Sequence, residues 1–406
     1  MNQDYIVVGG GLAGLSAAIA LAERKHGVRV FERSSILGGR AVTQLKEGFA
    51  MNFGPHALYT GGAADRTFRR WGIRYSGNRP DFSNEAYFVL NGQRLPFLET
   101  LAKEGISKLI MSTDADRTQG RFEDWLREKS LSDEAAELMR AMVRLTTYCT
   151  DMKCIAADAA IRQMQLAFAK GVLYLDGGWG TLVSALKEKA ASLGVQLETN
   201  ASVKQIEGCS VKLADGRSVS GAGIIIAVSR DAIGQLTAGT LPASMSARLA
   251  LLDLGLRRVP SSSVWFALGV DSPFYFSAHS IWASLAPSGA ALVHVAKCLN
   301  SRDSATRDEL EQFTDSVIPG WRAEVQIARF LPNMVASGGI PTLAGRPDVD
   351  ALQMERVAIC GDWVGPEAML VDAAVASALR AAKWIQSGEI GRSDSQVADA
   401  LKTSLA

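Results

Sequence analysis

The stretch that most constrains this chain is its start, "YIVVGGGLAGLSAAIALAERKHGVRVFE", Tyr5 to Glu32. Tyr5 to Val8 is a short apolar run, Gly9 to Gly14 turns it, and Leu15 to Arg24 repeats Leu and Ala at helical spacing. Gly27 breaks the helix, and "VRVFE" predicts a second strand ending in Glu32, 18 residues beyond Gly14. This strand–turn–helix–strand order is the dinucleotide-binding unit. Gly9 permits the tight turn, Gly11 lets backbone approach a pyrophosphate, and Gly14 lets helix and strand pack closely. The helix N-terminus offers unpaired N–H groups to the phosphates. Glu32 accepts the ribose hydroxyls, and a carboxylate there disfavours a 2′-phosphate, which argues against NADP.

NAD and FAD both use this unit, and the residues after Glu32 bear on the choice. Gly38-Gly39-Arg40 follows directly. With it the sequence resembles the flavin-binding superfamily of amine oxidases, protoporphyrinogen oxidases and phytoene desaturases, whose signature continues into a GGR turn. The resemblance implies FAD, bound by Gly9, Gly11, Leu12, Ala13, Gly14, Glu32, Arg33, Gly39 and Arg40. No cysteine or histidine lies in a recognised flavin-linkage motif, so noncovalent FAD is expected.

Two later blocks extend the resemblance. In "LDGGWGTLVSALKEKAASLGVQLETNASVKQIE", Leu175 to Glu207, Val203 matches the valine whose backbone meets adenine. In "RVAICGDWVGPEAMLVDAAVASALRAAKWI", Arg356 to Ile385, Gly361 and Asp362 match the strand-end pair that meets the ribityl chain, and Val371 precedes a helix aimed at the flavin. That helix departs from the family's E-G-A-x-x-S-G, because Ala373 and Ala378 replace its glycines. The segment "FAMNFGPHALYTGG", Phe49 to Gly62, is expected to pass the flavin ring with Gly54, Pro55 and His56. It resembles the G-x-H variant of phytoene-desaturase-like and hydroxysqualene-dehydroxylase-like members. His56 is the candidate catalytic residue, acting as acid/base or positioning a substrate; the alternative is a histidine that only bonds backbone or flavin.

The fold class expected is α/β, a Rossmann-like, glutathione-reductase-like three-layer FAD-binding domain with a discontinuous α+β substrate domain. Segments 1–75, 171–255 and 340–388 are assigned to the first and 76–170 and 256–339 to the second, leaving a tail at 389–406. The first insertion reads as mostly helical; the second contains strand-like runs such as "SSSVWFALGV" and "AALVHVAKCL".

Forty-three basic and 42 acidic side chains leave a formal charge of +1, which offers no field for nucleic acid. The five cysteines form no C-x-x-C pair, so neither a metal site nor a thiol redox centre is expected. No apolar run reaches membrane-spanning length, and a cytoplasmic protein is expected. "LPFLETLAKEGISKLIM", Leu95 to Met111, has helical apolar spacing that suits either a core-facing helix or a peripheral membrane contact.

Only one dinucleotide fingerprint is present, so electrons are expected to come from an organic substrate, with dioxygen, a quinone or another acceptor reoxidising the flavin. Amine oxidases of the family present a lysine on a strand that aligns with "RRVPSSSVWFALG", Arg257 to Gly269, where this chain has none. Lys297 could reach the site by another route, and Trp363 and Tyr59 are aromatic-cage candidates. The reading is a dehydrogenase or desaturase of a largely apolar small molecule. An amine oxidase and a flavin-holding protein without turnover are the alternatives, and the oligomeric state is left open.

Overall fold

Five short strands form a wholly parallel sheet in the order Gln196–Glu198, Val28–Phe31, Tyr5–Val8, Ile224–Ile226, Val357–Ile359. The computed structural model describes residues 4–258, 264–300 and 303–387, so the serine run at 261–263 and the tail at 389–406 lie outside the described residues. Strands covered on both faces are apolar throughout, as in YIVV, III and VAI. The helix Leu12–Ala22 is buried along its whole length. Its Ala-rich sequence favours helix and leaves room for close packing against Trp179–Ser192 and the C-terminal helix Leu370–Ser387. A three-stranded meander, Val203–Glu207, Ser210–Leu213 and Ser218–Ser220, adds Val203, Ile206, Val211 and Leu213 to the same core.

The second sheet has seven strands in the order Val325–Ser337, Ala247–Leu256, Ala291–Leu299, Phe274–Ser277, Phe266–Gly269, Ala86–Leu90, Gln93–Pro96. Ala247–Leu256 pairs along its length with Ala291–Leu299 on one side and Val325–Ser337 on the other. Residues 247–255, grouped from sequence with the nucleotide-binding segment, therefore join the second sheet.

The 76–170 insertion carries five helices, from Phe97–Lys103 to Ala157–Lys170. It also contributes the hairpin Ala86–Leu90/Gln93–Pro96, which a helical reading passes over. Asn91 and Gly92 make its turn with φ values of 50° and 73°, the positive pair that Asn-Gly supplies. In the Leu95 to Met111 segment, Phe97, Leu101, Ile106 and Ile110 face the core, while Leu98 and Met111 are exposed. Among the described residues no helix is long and apolar enough to cross a membrane.

Candidate functional site

A cavity of about 750 Å³ opens at the carboxyl ends of the parallel strands and runs to the second sheet. Such strand ends are where ligands bind in open α/β sheets. Gly9, Gly11, Leu12, Ala13, Glu32, Arg33, Gly39, Arg40, Pro55, His56, Val203, Gly361, Asp362 and Val371 all line it. Gly14 and Gly54 do not, and each is a glycine for packing reasons. A Cβ at Gly14 would stand 1.9 Å from the Gly9 carbonyl oxygen, and one at Gly54, where φ is +79°, would meet the Leu251 side chain at 2.5 Å. At Gly11 the reverse holds. A Cβ there would have only the Gly38 carbonyl, 3.9 Å away, within reach, so the backbone faces the open space a pyrophosphate needs.

Glu32 ends its strand with both oxygens engaged, one by the Gly10 N–H at 2.7 Å and the other by the Ser34 N–H at 2.8 Å. These bonds fix the carboxylate at the rim while its remaining lone pairs stay available for ribose hydroxyls. Val203 lines the cavity beside Ala201 and Ser202. Further in, Arg40 pairs with Asp362 at 2.7 Å, and the other Asp362 oxygen accepts from the Gly338 N–H at 2.7 Å. The Asp362 carboxylate, nearly buried, holds the Arg40 guanidinium above its usual pKa.

The C-terminal helix presents Leu370, Val371 and Ala374 to the cavity. Ala373 and Ala378, the departures from the family pattern, are fully buried and absent from the cavity wall. Neither methyl group therefore narrows the cavity. Ser377 Oγ secures the helix to the Gly361 turn, accepting from its N–H (3.0 Å) and donating to its carbonyl (2.9 Å).

At the inner end, Pro55, His56, Ala57, Tyr148, Trp179, Leu249 and Leu370 form the wall. A carbonyl can only accept, so His56 Nδ1, 3.1 Å from the Gly54 carbonyl, carries the proton and Nε2 is left as an acceptor. Burial pushes the His56 pKa down to about 4, outweighing the hydrogen bonds to the Gly54 and Arg40 backbone, with the charges of His294 and Arg40 adding to the fall. The ring meets Trp179 edge-on at 5.0 Å. Trp179 Nε1 is buried without a partner, a donor at the cavity wall left for a ligand acceptor.

Sequence reading did not find what holds this loop. Arg329 donates to the Asn52 carbonyl, to Gln44 Oε1 at 3.3 Å and to Asp253 Oδ2 at 2.5 Å. Asp253 Oδ1 lies 2.6 Å from His294 Nδ1, with both side chains fully buried. Asn52 Oδ1 accepts from the Trp179 N–H at 3.0 Å. The loop bearing His56 is thus tied to three strands of the second sheet and to the start of the Trp179–Ser192 helix. Within the chain, "GGWG" at 177–180 was the one local signal that could have pointed to Trp179.

Two strands of the second sheet border the cavity, Ala247–Leu256 with Arg248 and Leu249 and Val325–Ser337 with Met334, Val335 and Ala336, while the described residues of the Arg257 to Gly269 segment do not. Neither strand carries a lysine. Lys297 pairs with Glu309 at 2.6 Å and does not line the cavity. Tyr59 is also outside the wall, its hydroxyl bonded to the Thr146 carbonyl, while Trp363 lines it with Nε1 held by the Val228 carbonyl. These features fit FAD: an open glycine cradle, a rim carboxylate for ribose, an aspartate at a strand end and an unpartnered indole N–H.

A family model described as "Flavin containing amine oxidoreductase" matches residues 12–385. Among curated proteins, a 4,4′-diapolycopene oxygenase of Methylomonas sp is 24% identical over 276 residues, 53% of each chain. A carotenoid 3,4-desaturase of Haloarcula japonica is 27% identical over 262 residues, 50% of each. The chain spans about half the length of these curated relatives. Among solved structures, an oxidoreductase from Methanosarcina mazei superposes with a TM-score of 0.78 at 17% identity, covering 94% of this chain and all of the other. A putrescine oxidase triple mutant gives 0.71 at 15% identity, covering 96% of this chain and 99% of its own. At such identities the structural likeness speaks for the fold.

Proposed function

The chain belongs to the flavin-containing amine oxidoreductase family, and on that footing we propose that it oxidises an uncharged, largely apolar small molecule by hydride transfer to noncovalently held FAD. Bound there, FAD would supply the two-electron acceptor for the hydride. The chain's own residues bind and orient. The turn from Gly9 to Gly14 holds the pyrophosphate, Glu32 the adenosine ribose, and Asp362 with Arg40 the chain leading to the ring. The hydrophobic inner wall excludes water from the reacting bond.

The observation that carries the substrate reading is the chemistry of that inner wall. Pro55, Ala57, Tyr148, Leu249 and Leu370 surround a histidine that is neutral at neutral pH, and the bordering strand's acid, Asp253, is already bonded by Arg329 and His294. None of these groups pairs with an ammonium, and that strand's one cation at the cavity, Arg248, has its Nε bonded to Asn333 Oδ1 at 2.6 Å. His56 Nε2 is the group that accepts a hydrogen bond from the substrate or takes up its released proton.

The test is anaerobic mixing of the FAD-loaded protein with isoprenoids, primary amines and amino acids while flavin bleaching is followed. Bleaching by an uncharged isoprenoid and not by amines supports the reading. Bleaching by an amine would make the protein an amine oxidase, and retained colour with every compound and with fractions of a metabolite extract would favour a flavin-holding protein without turnover. Admitting dioxygen or a quinone afterwards identifies the electron acceptor.

A further inference from the structure

The first turn of the C-terminal helix contains a buried carboxyl that no step above uses. Asp372 is 1% exposed. Its Oδ1 accepts from the Ala64 N–H at 2.7 Å, at the start of the helix Ala63–Arg70, and its Oδ2 has no partner. The fit is close, since a Cβ at Gly62 would lie 2.4 Å from Oδ2. Residues on both sides of it in the helix, Leu370, Val371 and Ala374, line the cavity. A carboxyl therefore stands within the positive end of the helix that abuts the flavin site.

We propose that Asp372 tunes the bound flavin: its carboxylate offsets the positive end of the C-terminal helix and holds the reduction potential down, and acidification releases the helix to favour the reduced ring. Reduction by two electrons with uptake of one proton leaves the ring with one net negative charge. A helix N-terminus favours such a charge, and an ionised carboxylate in its first turn opposes it. The inference rests on FAD occupying the cavity and is independent of the substrate.

The surroundings let this group titrate in a useful range. Burial pushes the Asp372 pKa up to about 6, against the Ala64 N–H and Arg66, which lower it, and with Asp65, which raises it. On the Ala63–Arg70 helix, Asp65 is taken up by Arg69 at 2.8 Å, by Tyr75 and by the Gly61 N–H at 2.7 Å, while Arg66 donates to the Gly61 carbonyl. From the strand Leu58–Tyr59, Tyr59 is a neutral phenol whose pKa burial pushes well above its usual value. No cation forms an ion pair with Asp372 among the described residues.

The test is the midpoint potential of the FAD-loaded protein against pH, read by equilibrating it with dyes of known potential during dithionite reduction. The wild type should show an added fall in potential as pH rises through about 6. Asp372→Asn keeps an acceptor for the Ala64 N–H, so it should lack that fall and lie above the wild type at neutral pH. A tenfold shift in the oxidised-to-reduced ratio, about 30 mV for a two-electron couple, is the expected size. A second measurement needs no variant: redox difference infrared spectra of the wild type should show a carboxyl band that responds to flavin reduction. Equal potentials with parallel pH slopes, or no redox-linked carboxyl band, would overturn the proposal. A wild type that holds no FAD would refute the cofactor reading beneath it.

Discussion

The parallel sheet meets the cavity mainly with backbone, whereas the seven-stranded mixed sheet meets it with side chains that are themselves held by buried side chains. On the first side, Gly9, Gly11 and Gly14 act through the atoms they lack, and Glu32 is held by backbone N–H groups of the glycine turn and of its own loop. On the second, His56 is placed by a loop whose Asn52 carbonyl depends on Arg329, which in turn depends on Asp253 and His294. Backbone devices fail locally when altered. A buried charged network fails globally, because removing one member strands the others.

The largest effect should therefore come from the network. Arg329→Met should cost about 3–5 kcal/mol in urea unfolding, because Asp253 keeps its burial and loses its cation. Replacing Asp253, His294 and Arg329 together by apolar residues of similar volume should cost less than Arg329→Met alone. If the single change is nearly neutral, the contrast between the two sheets breaks.

Asp372 sharpens the comparison, as the exception on the backbone side. Its pKa is raised from 3.8 to about 6, so the folded state binds more protons than the unfolded state between those values, and stability falls as pH rises through that window. Asp372→Asn should remove this slope and be more stable at neutral pH by about 2–3 kcal/mol. Chemical denaturation at several pH values checks the sign.

Next in size is Glu32→Ala, which removes charge-assisted bonds to ribose and should raise the FAD dissociation constant by about 10- to 100-fold. Flavin fluorescence titration measures it. His56→Ala should retain FAD and slow anaerobic flavin reduction by about tenfold, the loss of one hydrogen bond. From sequence, a histidine acting as acid or base implies about 10²–10⁴-fold with a pH dependence near neutrality, and one that only supports the loop implies little change. Burial moves the His56 pKa to about 4, so the pH dependence belongs there, with activity lost as pH falls through it. The smallest effect should be at the thiols. Burial pushes the Cys149 pKa up to about 12 and Asp151 raises that of Cys154, so neither is a thiolate at neutral pH. Cys149→Ser and Cys154→Ser should leave the flavin reduction rate unchanged.

The same contrast decides what could be read in advance. The nucleotide side is legible because its devices are short-range: three glycines within six residues, an acid at the next strand end, a Gly-Asp pair before a helix. The network is not, since Asp253 lies 41 residues from His294 and 76 from Arg329, with no local pattern linking them. The strand "ARLALLDLGL" misled for another reason. A continuous apolar run suits a strand buried on both faces of either sheet, and only its hydrogen-bond partners place Ala247–Leu256 in the second. The Asn91-Gly92 hairpin, by contrast, carried its turn signal in the sequence, and the helical spacing that follows from Leu95 obscured it.

The central claim is that the first sheet is built for the adenosine end of a dinucleotide and the second for the ring end of the same molecule. Calorimetric titration of protein stripped of its flavin, with FAD, FMN and NAD in turn, tests it most directly. The account predicts one FAD per chain, with FMN much weaker because it leaves Glu32 and Val203 without a ligand, and NAD weaker still for want of the flavin ring. Equal binding of FMN and FAD, or a preference for NAD, would contradict it.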